Sequence, residues 1–205
     1  LERKGNKITV SSAYPLARLV QDSVKMGLSG LEAMVGIPGS VGGAVVMNAG
    51  GKYGQIGDVV KSVRVITRDG RIKTVNKIRF AYRWSNLKGE LLAEVTLQLK
   101  PSTLIAVSSR IKAILNEKKQ TQPLADWSAG CVFTNPVHYS AGALIDKAGL
   151  KGLTIGGAKI STKHANFIVN TGKAKARDVL KLIDIIKKTI RKKFNIDLQL
   201  EIEKW

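Results

Sequence analysis

Several residue types that carry specific chemistry are scarce in this sequence. A single cysteine among 205 residues, Cys131, excludes an internal disulfide and fits a reducing compartment, so the cytoplasm is the expected location. His138 and His164 lie far apart with that one thiol elsewhere, so no zinc-ligand spacing exists and no metal is expected. No apolar run approaches the roughly 18 residues that cross a bilayer. The charged start, residues 1–5, has no apolar signal-peptide region behind it, and no membrane partner is expected. Gly36, Gly39, Gly42 and Gly43 lack the spacing of a dinucleotide-binding G-x-G-x-x-G turn. A Walker loop and a G-x-S-x-G nucleophile elbow are also missing.

Acidic residues are the other shortage: 15 Asp and Glu stand against 34 Lys and Arg, giving a net charge of +19. That balance invites a nucleic-acid reading. The basic residues are spread evenly, however, with 16 in positions 1–100 and 18 in 101–205. Their densest runs, Lys187-Lys188 and Arg191-Lys192-Lys193, fall on a helix whose opposite face is apolar, the pattern of a solvated helix surface. Aromatic residues make up only 5%, which leaves few platforms for base stacking. Nucleic acid is therefore not an expected partner, whereas a basic surface would draw in an anionic small molecule such as a nucleotide-sugar.

Periodicity gives the outline of the fold. Leu16, Leu19, Val20 and Val24 predict an amphipathic helix over 13–26. Residues 27–54 are glycine-dense and read as irregular backbone that turns often or approaches something closely. Val59, Val63 and Val65 predict a strand, with a turn at Asp69-Gly70 and a return over 72–75. Ala93, Val95, Leu97 and Leu99 alternate as a half-buried strand that stops at Pro101. A helix capped by Ser102 would carry Leu104, Val107, Ile111 and Leu115 on one face and run into the polar segment before Pro123. A domain boundary is placed there, giving 1–120 and 121–205. The second part predicts a short apolar stretch at 131–133, a short helix over 142–148 and a strand at 167–169. A long helix over 174–193 follows, with Val179, Leu182, Ile186 and Ile190 in one stripe, then a last strand over 198–205. Strands and helices mix without strict alternation, so the fold class is α+β.

Glycine allows backbone N–H groups to approach a ligand oxygen with no Cβ in the way. The stretch Gly36-Ile37-Pro38-Gly39-Ser40-Val41-Gly42-Gly43 can serve that purpose or can be a compact structural loop; a second glycine-dense turn, Met47-Asn48-Ala49-Gly50-Gly51, favours the ligand reading.

Together with Gly27-Leu28-Ser29-Gly30-Leu31-Glu32, these segments resemble the UDP-N-acetylenolpyruvoylglucosamine reductases, also called UDP-N-acetylmuramate dehydrogenases. Phe80-Ala81-Tyr82-Arg83-Trp84-Ser85 is similar to the family's aromatic-Tyr-Arg-x-Ser motif. Ser128-Ala129-Gly130-Cys131-Val132-Phe133-Thr134-Asn135-Pro136 is similar to its Ala-Gly-Ser/Cys-x-Phe-Lys-Asn-Pro motif. Gly149-Leu150-Lys151-Gly152, the segment 161–170 and Leu198-Gln199-Leu200-Glu201-Ile202 match further blocks, so the resemblance extends over most of 27–205. It implies a vanillyl-alcohol-oxidase/PCMH-like FAD-binding domain and connecting helix over 1–120, then a smaller α+β substrate-binding domain over 121–205. The flavin domain is expected to be incomplete at its N-terminal side, where the family carries a Gly-Gly-Gly-Ser-Asn type segment.

The activity implied is a transfer of hydride from NADPH through FAD to the enolpyruvyl group of a UDP-sugar, in peptidoglycan precursor synthesis. A cytoplasmic monomer is expected. The resemblance assigns FAD contacts to Gly36, Ile37, Pro38, Gly39, Ser40, Gly42, Gly43, Asn48, Ala49 and Gly50. It assigns substrate contacts to Tyr82, Ser85, Gly130, Asn135, His164 and Asn166. Hydride arriving at one olefinic carbon leaves enolate-like charge on its neighbour, which calls for a cation and a proton source. Arg83 matches the cation, Cys131 the proton donor and Glu201 the last acid/base group. A thiol with a reference pKa of about 8.5 is mostly protonated at neutral pH and is a better acid than a serine hydroxyl. Apart from the motifs, Arg83 reads as a surface ion-pair member, Cys131 as a small buried hydrophobe and Glu201 as a strand-edge carboxylate. Glu203 is the candidate if the register slips. Thr134 stands where the family usually has Lys, and the short spacing from Ser85 to Glu94 resembles its smaller subclass. Another flavin-dependent oxidoreductase of the same flavoprotein group, or a basic non-catalytic module for RNA or a polyanion, are the competing readings.

Overall fold

Alternating apolar and polar side chains build the first sheet. In the computed structural model, which describes residues 1–204, β1 (Glu2–Lys4) and β2 (Lys7–Ser11) open the chain, followed by α1 (Leu16–Lys25) and α2 (Val41–Val46). Strands β3 (Val60–Ile66), β4 (Ile72–Val75) and β5 (Leu91–Gln98) join β1 and β2 in one antiparallel sheet of order β1-β2-β5-β3-β4. The register places Val95 opposite both Val10 and Val63, and Leu97 opposite Ile8. Because successive strand side chains alternate between faces, these four valine and leucine positions and Ile8 fall on one face. All are buried against Leu16, Leu19 and Val20 of α1 and Val41 and Val45 of α2.

The chain divides into two units, Leu1–Glu117 and Lys118–Trp205, with α3 (Leu104–Thr121) running across the division. Two features of the first unit differ from the sequence expectation. The glycine-dense region contains the helix α2, whose start is capped by Ser40 Oγ accepting the Gly43 N–H at 3.2 Å. The cap of α3 is Thr103 rather than Ser102: the Thr103 hydroxyl accepts the Ala106 N–H at 3.2 Å, the usual N3 contact of a capping residue. Along α3, Val107 of the expected stripe is buried together with Ile114, Ile111 is half-buried, and Leu104 is exposed, so the stripe keeps its middle and loses its first residue.

In the second unit β6 (Trp127–Cys131), β7 (Thr154–Ile155), β8 (Ala158–Ile160) and β9 (Phe167–Asn170) form an antiparallel sheet of order β6-β9-β8-β7. Helices α4 (Ala141–Lys147) and α5 (Ala176–Phe194) contribute Leu144, Ile145, Leu182, Ile183, Ile186 and Ile190 to its core. Asn195, left-handed at φ 57°, ends α5 and turns the chain back so that Leu198 is buried in the same core. The predicted strand over 198–205 does not form. A single bridge joins Phe133 and Leu200, flanked by Glu201 N–H to Val132 O and Thr134 N–H to Gln199 O, each 2.9 Å. Two residues stop the ladder. Gly130, at φ 82°, breaks the extended backbone on one side, and Pro136 has no N–H to continue it on the other. Trp205, the end of that predicted strand, lies outside the described residues. No helix among the described residues is long and apolar enough to cross a membrane.

Candidate active site

The glycine segment after residue 35 is fastened to the start of α1 by its backbone. Val41 N–H donates to Tyr14 O, Gly42 N–H to Ser12 O, and Gly39 O accepts the Leu16 N–H. Gly42 is buried so closely against Ser12 that a Cβ there would sit 2.8 Å from the Ser12 Cβ. The N–H groups of Val41, Gly42 and Gly43 are thus engaged within the protein, and Gly42 is structural. Gly36, Pro38 and Gly39 are exposed, with Ile37 and Ser40 at their flank half-buried. At Gly39, φ is 109° and a Cβ would meet nothing within 4 Å.

Asn48 is buried at φ 44° and its amide is fully used. Its Oδ1 accepts the Gly57 N–H at 3.1 Å, and its Nδ2 donates to Gln55 Oε1 at 2.8 Å and Ala81 O at 3.0 Å. Ala81 belongs to a small hairpin in which Phe80–Ala81 pairs with Trp84–Ser85. Ser85 is fully buried, and its hydroxyl donates to Val46 O at 2.8 Å, so it holds the hairpin from its other strand. Tyr82 and Arg83 form the turn. Tyr82 is half-exposed, and the guanidinium of Arg83 lies 5.1 Å from its ring centroid and donates from Nη1 to Gly50 O at 3.1 Å. Ala49 is half-buried beside Asn48.

Cys131 ends β6 opposite Phe167 and is half-buried. The backbone after it is held by Asn166, which is buried. Asn166 Oδ1 accepts the Phe133 N–H at 3.0 Å, its Nδ2 donates to Phe133 O at 2.8 Å, and its own carbonyl accepts the Val132 N–H at 2.8 Å. Asn135 Oδ1 accepts the Ala141 N–H at 3.0 Å and ties the loop to the start of α4. The bridge at Leu200 brings the backbone of Glu201 beside Val132, next in chain to Cys131. Within this unit, therefore, Gly130, Cys131, Asn135, Asn166 and Glu201 lie on neighbouring backbone segments. Arg83 belongs to the first unit.

His164 stacks edge-on against Phe167, with centroids 4.9 Å apart, and its Nδ1 accepts the Asn166 N–H at 3.3 Å. An accepting Nδ1 places the proton of the neutral ring on Nε2. Burial, with a smaller contribution from the Lys151 charge, holds the imidazole pKa below its ordinary value. The unfolded chain then binds a proton at His164 more readily than the folded one, so this stability is complete above the unfolded value of about 6.5 and is lost as pH falls below it. Urea midpoints of the wild type are expected to fall more steeply from pH 7.5 to pH 5 than those of His164→Gln; equal slopes would show that His164 carries none of the dependence.

Gln55 was not identified from the sequence. No motif marks it; its role appears only through its pairing with Gly50 and Asn48.

A family model described as UDP-N-acetylenolpyruvoylglucosamine reductase, C-terminal domain, matches residues 122–205, and one described as an FAD binding domain matches residues 1–76. The UDP-N-acetylenolpyruvoylglucosamine reductase of Moorella thermoacetica is 46% identical over 205 residues, covering 98% of this chain and 68% of its own length. The chain belongs to the UDP-N-acetylenolpyruvoylglucosamine reductase family. The reductase of the same name from Bacillus subtilis is 44% identical, covering 99% of this chain and 69% of its own length. The crystal structure of UDP-N-acetylenolpyruvylglucosamine reductase from Thermus caldophilus matches with a TM-score of 0.86 at 40% identity, covering 99% of this chain and 74% of that one. The α+β fold with an FAD-binding domain ahead of the reductase C-terminal domain is thereby established, and with it the class of a flavoprotein oxidoreductase. In this UDP-N-acetylenolpyruvoylglucosamine reductase family member the glycine turn leaves room for a flavin nucleotide. The turn at Gly36, Pro38 and Gly39 is exposed, and the space a side chain would occupy at Gly39 and Gly51 is open.

Proposed function

We propose that the protein reduces the enolpyruvyl ether of UDP-N-acetylglucosamine to UDP-N-acetylmuramate with NADPH, as a cytoplasmic monomer in peptidoglycan precursor synthesis. The observation that carries this reading is the bridge setting Glu201 beside the segment that follows Cys131, with Glu201 N–H to Val132 O at 2.9 Å. It supports an acid/base pair contributed by two neighbouring backbone segments, in a chain whose relatives are named as reductases of this sugar. Bound FAD supplies the two-electron transfer from the nicotinamide to the olefin. The turn from Gly36 to Ser40, with Gly43, Ala49 and Gly50, would hold it, while Gly42 and Asn48 fix the shape of that surface. Residues 1–120 would serve the flavin, apart from Tyr82 and Arg83, and 121–205 the sugar.

Arg83 binds the substrate carboxylate through its planar fork and balances the charge that develops there. Cys131 gives the proton to the carbon that becomes anionic, and Glu201 acts on the carboxylate as the second acid/base group. Tyr82, Gly130, Asn135 and His164 border the substrate. Ser85 and Asn166, both buried, hold the Arg83 hairpin and the Cys131 segment in place. Purified protein supplied with FAD is expected to oxidise NADPH beyond one equivalent per flavin only when the enolpyruvyl nucleotide-sugar is present, with one UDP-N-acetylmuramate formed per NADPH turned over. NADPH consumption indifferent to that sugar, with no product by mass spectrometry, would reject the assignment.

A further inference from the structure

Arg83 sits in the left-handed region at φ 53°, where residues other than glycine are uncommon and the strain persists only when the surroundings over-determine it. Two contacts do so. The backbone two residues before Arg83 is held by Asn48 Nδ2 on Ala81 O, and the guanidinium is held by Gly50 O. Both lead to one residue. Gln55 pairs with Gly50 across a two-residue hairpin so tight that a Cβ on Gly50 would sit 2.5 Å from the Gln55 Cα. The Gln55 side chain also accepts from Asn48 Nδ2 at 2.8 Å. The direction of that bond is fixed by its neighbours. Gly57 N–H can only donate, so it takes Asn48 Oδ1, and Ala81 O can only accept, so it faces Nδ2. Gln55 must therefore present its oxygen. Gln55 is itself anchored by its N–H to Asp58 Oδ2 at 2.9 Å.

We propose that Gln55 is a positioning residue that sets the place of Arg83 from both ends, the turn backbone through Asn48 and the guanidinium through Gly50. The proposal rests on the role given to Arg83 at the substrate carboxylate. A displacement of about 1 Å at such a group is enough to cost on the order of 10²-fold in rate.

Gln55→Met removes the acceptor at nearly constant volume, whereas Gln55→Glu keeps an oxygen at the same reach. Gln55→Met is expected to lower the rate of enolpyruvyl reduction by about tenfold or more, a larger fall than any in the rate of flavin reduction by NADPH, to which Asn48 and Gly50 also contribute. Calorimetric affinity for UDP-N-acetylmuramate, whose carboxylate Arg83 would hold, is expected to weaken in Gln55→Met and to be largely restored in Gln55→Glu. In an Arg83→Ala background, Gln55→Met is expected to add no further loss, because residues acting through one contact are not additive. Equal loss in both half-reactions, or the same loss on the Arg83→Ala background as on the wild type, would overturn the proposal. Undiminished sugar reduction by Arg83→Ala alone would instead remove the role of Arg83, and this inference with it.

Discussion

Cys131→Ala is expected to slow reduction of the enolpyruvyl sugar by about 10²–10⁴-fold, the usual contribution of a positioned proton donor, while NADPH still reduces the flavin at its normal rate. The separation follows from where a proton is needed: transfer from nicotinamide to flavin needs none from this thiol, whereas the anionic carbon formed on the sugar does. The fold is expected to survive. Cys131 is half-buried at the end of β6 and lies outside the core cluster formed by Val132, Phe133 and their neighbours. Cys131→Ser retains a hydroxyl in the same place and should keep much of the activity. Stopped-flow traces of the two half-reactions test this, and an equal fall in both would show that the thiol is not the proton donor.

The second large effect is expected at Arg83. Removing a cation aimed at developing charge typically costs about 10²–10³-fold, so Arg83→Ala should lower kcat/KM for the enolpyruvyl sugar by that factor. Arg83→Lys should recover only part, because an ammonium is a point charge without the planar fork that matches a carboxylate. Comparison with a substrate whose carboxylate is converted to an amide isolates the contact. That analogue should be turned over poorly by the wild type and no worse by Arg83→Ala. A variant that loses activity equally on both substrates would point to a disrupted turn, with the Tyr82–Arg83 hairpin rather than the charge as the cause.

Long periodic segments were legible in the sequence because their side chains report one dominant environment. The stripes of α1 and α5 and the alternation of β5 follow burial directly, and the Asp69-Gly70 turn with its return over 72–75 appears as β4. Short elements set by side-chain caps were not. Helix α2 lies inside a glycine-dense stretch whose composition reads as irregular, and only the Ser40 hydroxyl on Gly43 N–H reveals its start. The strand expected over 198–205 had the right alternation, yet the positive φ of Gly130 and the missing N–H of Pro136 on the facing segment leave a single bridge. Those constraints belong to a neighbour far away in sequence, which periodicity does not report. The same limit applies to the candidate site. Motifs named Arg83, Cys131 and Asn48, but that Asn48 and Ser85 brace the hairpin instead of facing outward depends on contacts 33 and 39 residues away. Gln55 carried no signal at all.

Asn166 binds both the N–H and the C=O of Phe133 with one side chain, so it stands in for a strand partner that the sheet does not provide. An aspartate offers acceptors but no donor, a leucine offers neither, and a glutamine is one carbon too long for the same ring of bonds. The requirement is stoichiometric: one lone pair and one proton at a fixed separation. None of those three replacements meets it, which makes this position an unforgiving letter in the code for the thiol's segment.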